Sequence, residues 1–119
     1  MHKFKRLEVW IKAKSFVKVV YRLTSTFPNE EEYVLKSQMR RAVISISSNI
    51  AEGAGRSSKK EFLRFLDIAQ GSAFELESQL DISYDLGYIN RNEFIKMGNH
   101  LNEIQSMIIG IKKYYEVHK

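Results

Sequence analysis

The stretch that decides the fold is SKKEFLRFLDIAQGSAFELESQLDISYDLG, residues 58–87. Its apolar side chains recur at steps of three and four residues, which places them on one face of a long helix. Ser58 with Glu61 three positions later predicts a capping box at the start, where each side chain accepts a backbone N–H of the other residue. Leu86 followed by Gly87 predicts the end, because glycine readily takes up the left-handed geometry that closes a helix.

Two segments before this stretch show the same apolar spacing. The first runs from about Glu8 to Thr26, and it ends before Pro28 because the residue preceding a proline avoids helical geometry. The second follows the acidic run at residues 30–32, whose charge suits a helix N-terminus. It ends at residues 53–55, Gly-Ala-Gly, where we expect glycine to adopt left-handed geometry.

A fourth helical segment follows a second capping box, formed by Asn90 and Glu93. Four helices joined by short connections predict an all-α fold, an antiparallel up-down-up-down four-helix bundle. With 119 residues there is one such domain, and residues 1–7 are expected to form a flexible basic arm. Glycines inside helices cost stability, so we expect Gly71, Gly98 and Gly110 to mark close approaches between helices.

The composition excludes several classes of protein. Apolar residues make up 44% of the chain and charged residues 28%, the balance of a globular protein. The absence of cysteine excludes disulfides, thiolate nucleophiles and thiolate metal ligands. No apolar run approaches membrane-spanning length. We therefore expect a cytoplasmic protein with no membrane partner.

The net charge of +5 is unevenly distributed along the chain. Residues 1–64 carry 14 Lys/Arg against 6 Asp/Glu, a net charge of +8, whereas residues 65–119 carry 5 against 8, a net charge of −3. This asymmetry favours a basic surface that contacts phosphates or an acidic partner. A solvated surface with chance clustering of charge explains it equally well.

Basic residues recur every four positions in two places, which aligns each set along one helix face. The two sets need not merge within one subunit, because helices 1 and 3 are diagonal in an up-down-up-down bundle. The start of helix 3 also offers backbone N–H groups to a phosphate, although a tight interhelical turn is the simpler interpretation. The candidate nucleic-acid-binding residues are Lys14, Lys18 and Arg22 of helix 1, with Arg56, Lys59, Lys60 and Arg64 around the start of helix 3.

Polar side chains also lie close to the apolar stripes of helices 2 and 3. Each costs about 1–3 kcal/mol if it is buried without a partner, so we expect a hydrogen-bonded network that fixes helix register. The alternative is a catalytic carboxylate pair, Glu52 and Glu75, which has neither a metal ligand set nor a base beside it. The predicted network comprises Arg41, Asn49, Glu52, Ser72 and Glu75.

Other chemistry is poorly supported. Di-iron bundles need Glu-x-x-His pairs, and His2, His100 and His118 do not follow a glutamate at that spacing. His100 is therefore interpreted as a surface histidine of helix 4. The turn at residues 53–58 lacks the P-loop pattern and its preceding strand. We expect no enzymatic activity, no metal or other cofactor and no small-molecule substrate.

The chain resembles the four-helix-bundle proteins encoded within 23S rRNA intervening sequences. The resemblance covers nearly the whole chain, and its two central blocks are specific. The first block is SNIAEGAGRSS (48–58) followed by Glu61-Phe62 and Phe65-Leu66; the second is AQGSAFEL (69–76) followed by Gln79-Leu80; the opening is LEVW (7–10).

This resemblance implies an assembly more than a reaction. Family members resemble homopentameric rings, and related proteins include the accessory protein of diversity-generating retroelements, which partners a reverse transcriptase and nucleic acid. Helix 4 is apolar on more than one side, which also favours oligomerisation. We expect a non-enzymatic homo-oligomer that binds RNA or a nucleic-acid-handling partner through its basic surface. The alternative is a protein–protein interaction scaffold that makes no direct nucleic-acid contact.

Overall fold

A computed structural model describes residues 2–31 and 34–117 of the chain; Met1, Glu32, Tyr33, His118 and Lys119 lie outside it. The described residues form four α-helices and no strands, so the all-α prediction is confirmed and the arrangement is consistent with a four-helix bundle. None of these helices has an apolar stretch long enough to cross a membrane. The helices are α1 Glu8–Thr24, α2 Leu35–Ala54, α3 Lys59–Asp85 and α4 Arg91–Val117, with short 3₁₀ turns at Phe4–Arg6 and Asn29–Glu31.

The four helices enclose one hydrophobic core along the 47 Å length of the molecule. The apolar faces predicted from residue spacing are the buried faces, because burial of each large apolar side chain contributes about 1.5–3 kcal/mol. The fully buried side chains include Phe16 of α1, Met39, Ile46 and Ile50 of α2, Phe62, Leu66 and Leu76 of α3, and Leu101, Ile104 and Ile108 of α4.

The end of α3 and the capping box at the start of α4 match the sequence prediction, and the start of α3 shows the Ser58 half of its predicted capping box. Ser58 Oγ accepts the backbone N–H of Glu61 at 3.1 Å. Gly87 has φ of +77°, and the backbone N–H groups of Gly87 and Tyr88 donate to the carbonyls of Tyr84 and Ser83 at 3.0 and 2.9 Å. That pair of bonds is a Schellman motif.

Gly53 does not act as the predicted left-handed stop of α2. It is buried inside α2, which continues to Ala54, and its neighbours explain why glycine is needed there. A Cβ at Gly53 would lie 2.6 Å from Phe65 Cβ and 3.1 Å from Phe62 Cδ1. Gly53 therefore lets α2 and α3 pack closely at this end of the molecule.

The sequence predicted close helix–helix approaches at three other glycines, and this prediction is wrong within the chain. A Cβ placed at Gly71, Gly98 or Gly110 meets no neighbouring heavy atom within 4 Å in the described part of the chain. Gly71 and Gly110 are exposed and Gly98 is half-buried. Helix packing therefore does not offset the unfavourable helix propensity of these three glycines.

The N-terminal segment packs on the bundle, whereas the sequence predicted a flexible arm. The backbone N–H of His2 donates to the carbonyl of Ala54 at 2.8 Å, and His2 Nε2 lies 2.8 Å from the Tyr115 hydroxyl. The Phe4 ring meets the edge of Trp10, with ring centroids 4.9 Å apart. Apolar side chains at Phe4 and Leu7 pack against the core, which gives the segment a reason to dock.

His100 lies between helices and not on the open surface that the sequence predicted. Its ring stacks on Phe16 of α1 with centroids 4.4 Å apart, and nearby Lys12 and Glu103 form an ion pair at 2.6 Å. Burial is the main cause that lowers the pKa of His100; Glu103 opposes this shift, and Lys12 and Lys96 add to it. His100 therefore contributes an uncharged ring to the contact between α1 and α4.

Arg40 joins α1 and α2, a role that the sequence did not indicate. Its Nε donates to the Thr24 hydroxyl at 2.9 Å and its Nη2 to the Tyr21 carbonyl at 3.1 Å. The guanidinium also lies over the Tyr21 ring, 4.3 Å from the centroid. These contacts tie α2 to the last turn of α1.

Candidate nucleic-acid interface

The first turn of α3 presents a dense group of basic residues. The Ser58 cap fixes the start of the helix, and Lys59 and Lys60 are exposed immediately after it. Arg64 follows one turn later, also exposed, and forms an ion pair with Glu61 at 3.0 Å. This end of α3 therefore carries positive charge on a rigid element.

Arg56 lies in the turn before α3, because the helix begins only at Lys59. The predicted alignment of Arg56 with Lys60 and Arg64 along one helix face is therefore wrong. Arg56 and Arg64 instead meet at the Phe65 ring, with their guanidinium carbons 5.1 and 4.8 Å from its centroid. Such cation–π contacts hold both guanidinium groups in place.

An open groove of about 570 Å³ runs beside this basic group, a volume in the range of ligand sites. Lys59, Lys60 and Arg64 supply its cations, and Asp67 is its acidic residue. The groove is lined by Lys59, Lys60, Leu63, Arg64, Asp67 and Tyr115.

Lys112 of α4 neutralises the acidic residue of this groove. Its ammonium forms an ion pair with the Asp67 carboxylate and donates to Gln70 Oε1 at 3.1 Å. The Asp67 charge is thereby balanced from outside the groove. Glu61 pairs with Arg64 in the same way, and Lys59 and Lys60 keep the lining positive, so the groove suits an anionic ligand.

Tyr115 forms the α4 side of the groove and is held from several directions. Its hydroxyl pairs with His2 at 2.8 Å, its ring meets Phe62 edge-on at 5.8 Å between centroids, and the Lys59 ammonium lies 5.8 Å from its centroid. Burial, with the neighbouring Tyr114, raises the pKa of Tyr115. It therefore stays a neutral phenol at physiological pH.

The basic stripe of α1 is separate from this groove. Lys14, Lys18 and Arg22 are all exposed, and the Lys14 ammonium lies 5.3 Å from the Trp10 ring centroid. Among the described residues α1 contacts α2 and α4 but not α3. The two sets of basic residues are therefore distinct surfaces of one chain.

The polar network between α2 and α3 is smaller than the sequence predicted. Ser45 and Ser72 hydroxyls lie 2.8 Å apart across the two helices. Asn49 Nδ2 donates to the Ser45 carbonyl at 2.8 Å and to the Ser45 hydroxyl at 3.0 Å. Ser72 and Asn49 thus belong to a network whose central member is Ser45.

The other three residues of the predicted network lie outside it because they are exposed. Arg41 is on the surface of α2. Glu52 pairs with Arg56 at 2.6 Å, and Glu75 accepts a bond from Gln79 at 3.3 Å within α3. Glu52 lies next to Gly53, which contacts Phe65, whereas Glu75 is ten residues further along α3, about 15 Å at 1.5 Å per residue. The fold does not bring these two carboxylates together.

Besides Asp67, the groove residues that the sequence did not indicate are Tyr115 and Leu63. Both fall on or beside apolar stripes, where core packing is the ordinary interpretation. The predicted topology indicates Tyr115 where residue spacing does not, because an up-down-up-down bundle places the start of the third helix and the end of the fourth at the same end. In the described part of the chain, no three His, Asp or Glu side chains cluster as metal ligands.

Comparison with known proteins agrees with this fold. The model of the 23S rRNA-intervening sequence protein family matches residues 5–110. The chain belongs to this family. The predicted resemblance is thereby confirmed, and the match includes both basic sets and most of the groove.

A solved structure is similar to this member of the 23S rRNA-intervening sequence protein family over most of its length. It is the crystal structure of a protein of unknown function from the S23 ribosomal protein family, from Bacteroides thetaiotaomicron. The two chains are 30% identical, with a TM-score of 0.82 over 88% of this chain and 95% of the other. No curated protein matches the chain.

Proposed function

We propose that this protein is a non-enzymatic module that binds RNA through the groove at the start of α3. The main support for the proposal is the groove lining, which contains Lys59, Lys60 and Arg64 together with one carboxylate, Asp67, that is already paired with Lys112. Positive charge concentrated in an open groove favours a phosphate backbone. The net charge of +8 over residues 1–64 supports a polyanionic partner such as RNA.

We further propose that the helices run antiparallel, up-down-up-down. Contacting pairs support this arrangement because the residue number rises in one helix as it falls in the other. In α2 and α3, Gly53 contacts Phe65 whereas Ser45 contacts Ser72. The pairs of α3 with α4 and of α1 with α4 follow the same rule: Gln70–Lys112 and Tyr84–Phe94, then Lys12–Glu103 and Phe16–His100.

The module is proposed to act as a homo-oligomer, a pentamer by resemblance to its family. Several large apolar side chains on the outside of α3 and α4 support this. Phe74 is 56% exposed and Ile109 is 40% exposed, on helices that already bury another face in the core. A second copy of the chain would cover such side chains.

The RNA proposal is tested by charge reversal. The double variant Lys59→Glu/Lys60→Glu is compared with Arg91→Glu/Lys96→Glu, a control that reverses two exposed cations at the start of α4. Anisotropy with a structured RNA is measured at two salt concentrations. We expect the first variant to weaken binding and to lower the log–log salt slope by about one for each lost phosphate contact, with little change in the control.

Two outcomes contradict the proposal. The first is no detectable affinity of the unmodified protein for RNA even at low salt. The second adds a further result to this absence of RNA affinity: one protein partner is recovered stoichiometrically from nuclease-treated lysate, which favours the scaffold function. A matched triple variant of Lys14, Lys18 and Arg22 shows whether the α1 surface contributes separately.

A further inference from the structure

The groove at the start of α3 combines two chemically different surfaces. Leu63 and the Tyr115 ring supply its apolar part, while Lys59, Lys60 and Arg64 supply cations around it. A phosphate backbone alone needs only the cations. A ligand that uses the whole groove has a flat apolar group and an anionic group close together.

Tyr115 is prepared for such a contact before any ligand binds. Its hydroxyl pairs with His2, and its ring makes a T-shaped contact with Phe62. Holding a side chain in its bound orientation reduces the entropy lost on binding. The N-terminal segment places His2 beside Tyr115, and the backbone N–H of His2 donates to the Ala54 carbonyl, which holds this segment on the bundle.

We infer that the groove takes an unpaired nucleotide of RNA, with its base against Leu63 and Tyr115 and its phosphates beside Lys59, Lys60 and Arg64. This rests on the proposed RNA-binding function and names the part of the RNA that is recognised. Bases splayed from single strands and loops expose faces that stack on aromatic side chains, whereas bases inside an A-form helix do not.

An RNA strand fits the surrounding charge better than an acidic peptide does. Arg56 and Arg64 both lie at the Phe65 ring; each is paired with a carboxylate of its own segment, Glu52 and Glu61, so their guanidinium groups extend the polar surface past the groove towards the turn before α3. A strand with a phosphate at every nucleotide can use the groove and this extension together. A peptide with scattered carboxylates has no base to place against Tyr115.

The test uses the full chain and two RNA probes of equal length, one single-stranded and one a blunt duplex. Tyr115→Leu and Leu63→Ala are the variants, and Tyr84→Leu is the control, since Tyr84 stacks on Phe94 at the α3–α4 turn. Thermal unfolding followed by circular dichroism checks that each variant is folded. We expect each groove variant to weaken single-strand binding by about tenfold, because base stacking is worth about 1–3 kcal/mol per base. Duplex binding and the control should change by less than about twofold.

The outcomes separate this inference from the function on which it rests. Equal affinity for both probes, with no effect of either groove variant, overturns the unpaired-nucleotide inference and leaves RNA binding intact. Failure to bind either probe overturns the proposed function itself. Displacement of the RNA by a poly-glutamate peptide at matched charge, unaffected by Tyr115→Leu, overturns the inference in favour of an acidic protein partner.

Discussion

At the scale of single residues, Gly53 and Gly71 show how differently the same residue type can act inside a helix. A Cβ at Gly53 would meet Phe65 at 2.6 Å, whereas one at Gly71 meets nothing within 4 Å. Gly53→Ala should therefore lower the free energy of unfolding by about 1–3 kcal/mol, because an overpacked contact pushes two helices apart. Urea denaturation of the variant and the unmodified protein measures the difference.

Gly71→Ala is the matched control for that prediction. Here alanine replaces an exposed helical glycine without a clash, so we expect the free energy of unfolding to rise by about 0.5–1 kcal/mol. A destabilisation at Gly53 no larger than the effect at Gly71 would contradict the close packing of α2 on α3. Gly53→Ser, with a similar clash, should rank with Gly53→Ala.

His100 predicts a pH dependence of stability. Burial is the main cause that lowers its pKa from the ordinary 6.5, with Glu103 opposing and Lys12 and Lys96 adding to the shift. The unfolded chain then binds a proton more readily than the folded chain, so stability falls as pH drops from 6.5 towards the folded pKa. Above that window the contribution of His100 is fully present.

The variant His100→Gln should lose this part of the pH dependence. Urea denaturation at about pH 7.5 and about pH 5.5 should show a smaller decrease in unfolding free energy for the variant than for the unmodified protein. The loss of the Phe16 stack lowers stability at both pH values. The quantity compared is therefore the change in unfolding free energy between the two pH values, in the variant and in the unmodified protein. Equal changes would show that His100 titrates in the folded protein as it does in the unfolded chain.

At the scale of helices, the contact of α2 with α3 depends on a small polar network. Ser45 joins Ser72 at 2.8 Å and accepts from Asn49 at 3.0 Å. A double-mutant cycle with Ser45→Ala and Ser72→Ala should give a coupling energy of about 0.5–1.5 kcal/mol. Ser48→Ala, on the exposed side of the same helix, should change stability by less than about 0.5 kcal/mol. Additive effects at Ser45 and Ser72 would mean that their hydrogen bond does not stabilise the pair.

The capping box of α4 gives a second prediction at this scale. The Asn90 side chain accepts the Glu93 N–H, and Glu93 accepts the Asn90 N–H, both at 2.8 Å. Asn90→Ala should cost about 1 kcal/mol in unfolding free energy, and Asn90→Ser should recover most of it. Urea denaturation measures both variants. Equal stabilities of the alanine and serine variants would mean that the side-chain cap at position 90 does not stabilise α4.

Helix ends that depend on neighbouring residues were predictable from the sequence, whereas contacts between helices were not. Ser58, Gly87 and Asn90 act through the adjacent backbone, so their spacing alone indicates the geometry. Gly53 acts through Phe65 of another helix, and its role required the helices to be placed. The prediction of the polar network was partly wrong for the same reason. A residue near an apolar stripe can face a neighbouring helix, as Ser45 does, or the solvent, as Arg41 does.

At the scale of the whole molecule, the candidate groove exists because distant segments meet at one end of the bundle. Lys59 opens α3, Tyr115 lies near the end of α4, and His2 comes from the N-terminal segment. The sequence indicated the basic residues, since charge is local information. Residue spacing alone did not indicate Tyr115, because this residue lines the groove only when α4 lies beside the start of α3.

The last prediction concerns the outer side of α3 and α4, where an oligomer interface is proposed. Gln70 contacts Lys112, and Tyr84 contacts Phe94. Phe74 lies about one turn after Gln70 in α3, and Ile109 lies about one turn before Lys112 in α4. Both steps lead from the Gln70–Lys112 contact towards the Tyr84–Phe94 contact, so Phe74 and Ile109 occur at the same level of the bundle. Their exposure, 56% and 40%, leaves two large apolar side chains in water unless a second copy covers them.

Phe74→Arg and Ile109→Arg should therefore dissociate the assembly. Light scattering of the unmodified protein at micromolar concentration should give a mass several times the 13.9 kDa of one chain, and either variant should approach that single-chain mass. An arginine at the centre of an apolar contact would be buried without a partner charge, which is strongly unfavourable. Val117→Arg, at the exposed end of α4, should leave the mass unchanged. If the unmodified protein is monomeric, the oligomer proposal is wrong, and RNA binding must then depend on the groove of a single chain.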